Sequence, residues 1–417
     1  MPASRSTTTM TAKLYYSTIA DLQTLIHARQ LSPVAIVDAC LARVAELNPR
    51  LNAFALVLTD EARKQARHAE TEIRDGHWRG PLHGIPIGIK DFYDTAGVPT
   101  TAAFKPFEKR IPGADAVSVA RLKDAGAIVL GKMNMHTLGM GTTGLESLFG
   151  PVQNPWHASY IPGGSSSGSA AAVAAGLCYA TLDTDAIGSC RLPAACCGVA
   201  GFKGTFGLIS VDGILAGEQP PDETIRWLSH AGITARTAED CAIVLNALSP
   251  PSQIDLAAVD ASARRLRVGV ADSFAAEGGV AAAFGGAVER VRTFAGEVVS
   301  AAVPLQMPRF DKHTIEEDRR TVAHRVFRDV DLLLLPTTAT PVLSVEEARS
   351  NPQALSPANT VFANYFGLPA ATVPCGFDAR GLPLGLQIVG KPHDDAIVLA
   401  AGRRYQAATD FNRHPIP

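Results

Sequence analysis

The chain has 417 residues, 47% of them hydrophobic and 19% charged, which excludes a disordered chain and leaves ample material for a large buried core. Lys plus Arg number 38 and Asp plus Glu 40, a formal net charge of −2, so nothing argues for a nucleic acid or acidic-membrane partner. No apolar run reaches the roughly 18 residues that a membrane helix needs.

Residues 1–12 are rich in Ser and Thr without an apolar segment, so they read as a frayed tail rather than a secretory signal. Residues 13–417 are expected to form one domain. Ser32-Pro33 is a helix start, with Ser as N-cap and Pro in the first turn. Val34, Val37, Leu41, Val44 and Leu47 then mark one helical face, which Asn48-Pro49 is expected to end. A charged helix follows over about 60–74. The period then changes. Ile85–Ile89 is a short apolar run ending at Lys90-Asp91, residues 117–124 look helical, and 127–130 read as a strand stopped by Gly131. A Gly/Ser tract over 163–169 opens an Ala-rich helix, and a strand at 179–182 follows. Residues 331–336 and 384–389 read as two more strands, and a helix over 396–407 closes the chain. Short buried strands alternating with helices predict an α/β fold, with no linker long enough to separate domains.

The seven cysteines show no C-x-x-C spacing and sit mostly in apolar surroundings. They read as buried reduced thiols in a cytoplasmic protein, not disulfides or metal ligands.

Three glycine-rich patterns compete. Gly139-Met140-Gly141-Thr142-Thr143-Gly144 fits G-x-G-x-x-G but lacks the acidic residue expected about 20 positions later. Gly164-Ser165-Ser166-Ser167-Gly168 fits the G-x-S-x-G nucleophile elbow, with Ser166 at its centre and His393 as a recruitable base. Loop residues, not a strand, precede it. The third pattern is wider: Gly84–Asp91 with Lys90, Pro162–Ala170 with Ser165, and Asp183–Ala195 with Ser189.

At these residues the sequence resembles the amidase signature family. Lys90 matches that family's catalytic Lys, Ser165 its bridging Ser on a cis peptide, and Ser189 its nucleophile, at spacings of 75 and 24 residues. Val152–Trp156, Gly198–Lys203, 331–338 and 367–390 extend the likeness over most of the chain. The resemblance implies a twisted mixed β-sheet covered by helices, hydrolysis of amide C–N bonds through an acyl-enzyme, and no cofactor or metal. It implies an oxyanion hole from the backbone N–H groups of Ala186, Ile187, Gly188 and Ser189, with Met140 and Gly141 in the acyl-site wall. The chemistry is coherent without the name, because a Lys can activate a Ser when burial lowers its pKa. Asp185 and Arg191 flank the nucleophile and are expected to pair and brace the loop. Cys190 has no His paired with it in sequence and is expected to be structural.

The sequence also departs from the family pattern. Ile187 stands where most members have Gly, and the stretch from Val268 to Asp331 is shorter than usual, which implies a more open cleft. With the acidic, Pro-containing loop at 217–223, these features look like a small subgroup that includes urethane-cleaving enzymes. The expected partner is therefore a small amide or carbamate, and the expected state a monomer or homodimer. Two alternatives stand beside this reading: an α/β-hydrolase esterase using Ser166 and a His, and an amidotransferase A-type subunit that works only in a complex.

Overall fold

In the computed structural model, residues 14–219, 223–249, 259, 266–303 and 310–415 are described. The expected tail at 1–12 and three residues of the acidic loop (220–222) lie outside them. Eleven strands form one sheet: β1 (Phe54–Val57), β2 (Pro86–Lys90), β3 (Ile128–Met133), β4 (Ala180–Asp185), β5 (Ala200–Lys203), β6 (His230–Ala235), β7 (Arg267–Ala271), β8 (Glu297–Ala301), β9 (Leu332–Pro336), β10 (Ala370–Phe377) and β11 (Pro383–Gly390). Their order is β1-β3-β2-β4-β6-β5-β10-β11-β9-β7-β8. The sheet is mixed. β3, β2 and β4 run parallel, as do β9, β7 and β8, while the strands between them pair antiparallel.

Several elements fall where the sequence places them. Ser32 caps the helix Pro33–Leu51, its hydroxyl accepting from the Val34 and Ala35 N–H groups. Helices Thr59–Arg74, Val117–Asp124, Ser167–Ala174 and Asp395–Ala407 also match. Two expected stops are not stops. Pro49 lies inside the last turn of the helix Pro33–Leu51, which is capped by Asn52 in a left-handed conformation. Gly131 lies within β3, where a Cβ would stand 2.1 Å from the Leu56 carbonyl oxygen of the neighbouring β1. That glycine permits a close strand approach rather than a turn. No helix among the described residues is long and apolar enough to cross a membrane.

The central strands are buried on both faces, which explains their unbroken apolar runs. β2 and β4 are parallel neighbours, with Ile89 opposite Leu182. Their carboxyl ends therefore open at the same edge, where open α/β sheets place their ligands. Lys90 ends β2 and Asp185 ends β4.

Candidate active site

Lys90 is fully buried, and its ammonium has three acceptors. Ser165 Oγ and Ser166 Oγ lie at 2.8 Å and Thr184 Oγ1 at 2.9 Å. The Phe92 ring, half-buried, stands 5.8 Å from Nζ. Burial pulls the Lys90 pKa down to about 8, against the opposing pull of Asp183, Cys190 and Asp185. As a neutral amine Lys90 has two N–H groups and one lone pair, which suits two accepting hydroxyls and one donating hydroxyl.

Ser165 follows a cis peptide bond with Gly164. Its carbonyl accepts from the His136 N–H at 3.0 Å. The next residue, Ser166, donates its N–H to the Ser189 carbonyl at 3.0 Å, which ties the Gly/Ser tract to the β4 loop. Ser189 is 4% exposed, and its hydroxyl makes no hydrogen bond among the described residues, so it is free for an incoming group.

The elbow alternative does not fit this geometry. Ser166 is fully buried at the start of the helix Ser167–Ala174 and bonds to Lys90, not to a histidine. His393 donates its backbone N–H to Thr205. The sequence reading does not find Ser166 and Thr184 as partners of Lys90. The signal available is their proximity in sequence to Ser165 and Asp185, but only the fold brings their hydroxyls together.

The loop after β4 is held from beneath. Asp185 and Arg191 are both fully buried and pair in two-pronged fashion, Nη2 to Oδ1 at 2.9 Å and Nε to Oδ2 at 3.0 Å. Burial alone would raise the Asp185 pKa, but the Arg191 guanidinium and Asn364 hold it well below the usual carboxylate range. Arg191 also donates to the Thr360 carbonyl at 3.0 Å, Asn364 Oδ1 at 2.6 Å and Gln387 Oε1. A solvated surface pair is thus excluded.

One expected oxyanion donor is already occupied. The Gly188 N–H donates to Asp185 Oδ1 at 2.8 Å. The N–H groups of Ala186, Ile187 and Ser189 have no partner among the described residues. Ile187 does not distort the loop, because the unusual backbone falls on Gly188, at φ +128°. Ala186 and Ile187 pack on an apolar cluster that includes Phe362, Tyr365 and Phe366, with Trp227 and Phe274 beside them. Cys190 is fully buried, its Sγ 3.3 Å from the Ile233 carbonyl, and burial pushes its thiol pKa far up. It is no rival nucleophile.

Gly141, expected in the acyl-site wall, is half-buried and packs against His136. A Cβ there would lie 2.2 Å from His136 Cε1 and Nε2, so its bare face is filled by that ring. Gly139 is the residue turned toward the centre, since its Cβ would stand 3.6 Å from both Ser165 Oγ and the Phe92 ring. Met140, between the two glycines, stands 54% exposed.

The sequence matches the family described as Amidase over residues 35–312 and 282–399. The chain belongs to the amidase family. This amidase is 34% identical to the A subunit of the glutamyl-tRNA(Gln) amidotransferase of Roseiflexus castenholzii, covering 96% of the chain and 97% of that protein. The corresponding protein of Chloroflexus aggregans is 33% identical, over 96% and 98%. Among solved structures, the peptide amidase of Stenotrophomonas maltophilia superposes with a TM-score of 0.79 at 27% identity, over 94% and 97% of the two chains. The 6-aminohexanoate cyclic dimer hydrolase, in complex with its substrate, gives 0.83 at 25%, over 96% and 99%. The amidase is an enzyme acting on carbon–nitrogen bonds.

Proposed function

We propose that the protein hydrolyses the C–N bond of small amides and carbamates, with Ser189 as nucleophile, Ser165 as proton relay and Lys90 as base. The observation that carries this reading is the buried amine, depressed to about 8 and held by three hydroxyls beside an unbonded serine. Neutral Lys90 takes the Ser165 proton while Ser165 takes that of Ser189, and Ser189 Oγ attacks the carbonyl carbon. The relay contact between the two serine hydroxyls closes on substrate binding, as catalytic hydrogen bonds often do. The free N–H groups of Ala186, Ile187 and Ser189 receive the developing oxyanion. The proton returns through Ser165 to the leaving nitrogen, and water then releases the acyl- or carbamoyl-enzyme. A carbamate presents the same carbonyl to the same groups.

Support for bulky or aromatic substrates comes from the exposed Met140, the half-buried Phe92 and the apolar cluster behind Ile187. The alignment with the Roseiflexus protein spans 484 positions against 417 residues here, so that relative carries segments this chain lacks. The names of the curated relatives favour a second reading, an amidotransferase component that works only in an assembly. A panel of anilides, aliphatic amides, 4-nitrophenyl esters and alkyl aryl carbamates separates the two. The isolated chain should turn over anilides and carbamates. Hydrolysis confined to glutamine would support the second reading instead.

A further inference from the structure

We infer that Thr360 is a positioning residue for the oxyanion hole: its hydroxyl and the Asp185 carboxylate clamp the Ile187–Gly188 peptide from its two ends, setting the flanking N–H groups of Ile187 and Ser189 for the substrate oxygen. This rests on Ser189 being the nucleophile.

In a trans peptide the C=O and N–H point in opposite directions, so holding both fixes the whole plane. Here the Ile187 C=O accepts from Thr360 Oγ1 at 2.5 Å, and the Gly188 N–H donates to Asp185 Oδ1 at 2.8 Å. Thr360 and Asp185 are both fully buried, so water does not compete for either contact. Thr360 Oγ1 also lies 3.0 Å from the carbonyl of Pro357, the N-cap of its own helix Ala358–Tyr365. A hydroxyl has one hydrogen to give, and the shorter contact is the one across to the loop.

Gly188 completes the device. At φ +128° it holds a backbone that side chains rarely adopt, and a Cβ would lie 2.3 Å from Thr360 Oγ1. The glycine both permits the turn and leaves room for the threonine hydroxyl. The clamp is anchored on one helix face. The Thr360 carbonyl accepts from Arg191 Nη1 at 3.0 Å. Asn364, four residues on, donates Nδ2 to the Asp185 carbonyl at 2.8 Å and to its Oδ1 at 2.9 Å. The Ile187–Gly188 peptide therefore cannot turn its N–H toward substrate without breaking two buried contacts. The residues on either side of it carry the free donors. Fixed donors need no reorganisation as charge develops, which is where such groups contribute most.

The test compares Thr360→Val, which keeps the shape and removes the hydroxyl, with Thr360→Ser, which keeps the hydroxyl. Turnover of a 4-nitroanilide is measured per active site, titrated with a fluorophosphonate, so that misfolded protein does not count. Thr360→Val should lower kcat by about 10- to 100-fold, short of losing a whole oxyanion donor, while KM moves less than about threefold. Thr360→Ser should restore kcat to within about threefold. If Thr360→Val does not fold, Thr360→Ala against Thr360→Ser makes the same comparison. The inference is overturned if the hydroxyl-free variant keeps wild-type kcat per titrated site, or if Thr360→Ser falls as far as it does. Undiminished turnover by Ser189→Ala would instead sink the underlying reading of the nucleophile.

Discussion

Lys90 and Ser165 lie 75 residues apart in the chain and meet with Nζ 2.8 Å from Oγ. The end of a buried parallel strand supplies the amine, and the Gly/Ser tract before the helix Ser167–Ala174 supplies the hydroxyl. Neither residue is unusual alone. Their meeting in a buried site, where the ammonium loses its water, lowers the pKa of what is usually a surface cation, as the proposed role of base requires.

The pH profile follows from that burial. Lys90 falls from its ordinary 10.5 to about 8. Its neutral form, the competent base, grows as pH rises through that value. kcat/KM for an amide should therefore climb with an acid limb near pH 8 and level off above it. Lys90→Met should lower the rate by about 10²- to 10⁴-fold, and Lys90→Arg should do equal damage because guanidinium stays protonated. Amides should suffer more than activated esters, whose leaving groups need no proton. A few-fold loss with the acid limb intact would make Lys90 structural.

The Asp185–Arg191 pair should matter to stability as well as to the loop. Both groups are fully buried, and Asn364 and Gln387 complete their bonding. Removing one partner leaves the other charge uncompensated. Arg191→Met should thus destabilise the fold by about 3–5 kcal/mol in urea unfolding. A change under about 1 kcal/mol would show that the pair is not sealed as described.

Gly141 and His136 should be energetically coupled. A methyl at 141 runs into the His136 ring, which is 6% exposed and has an unpartnered Nδ1 among the described residues. Gly141→Ala should cost about 1–3 kcal/mol by overpacking. In the Gly141→Ala/His136→Ala double variant the cost should be less than the sum of the singles. Strict additivity would place the ring elsewhere. Met140→Ala, at an exposed position, should change stability by no more than about 0.5 kcal/mol.

What can be read in the sequence is whatever is local or motif-like. Ser32-Pro33 announces its helix because a cap acts on its own next residues. Lys90, Ser165 and Ser189 stand out through their surrounding motifs, and Asp185 and Arg191 through adjacency to Ser189. Strands such as β5, β6 and β10 are not legible, since short apolar runs carry no period of their own and depend on partners far away in the chain. Gly131 reads as a stop because a glycine admits both a turn and a close approach, and only the position of Leu56 decides. Gly188 reads as an oxyanion donor because the loop pattern does not show where Asp185 sends its carboxylate. Thr360 and Asn364 lie more than 170 residues from the loop they hold, and no local pattern marks them.

The most direct test is to react the protein with a fluorophosphonate and map the adduct by mass spectrometry. A single adduct on Ser189 is expected, formed faster as pH rises through about 8. Ser189→Ala should abolish labelling and turnover together, and Ser166→Ala should still be labelled at Ser189. An adduct on Ser166 or Cys190, or undiminished labelling of Ser189→Ala, would contradict the assignment of Ser189 as the nucleophile served by Lys90.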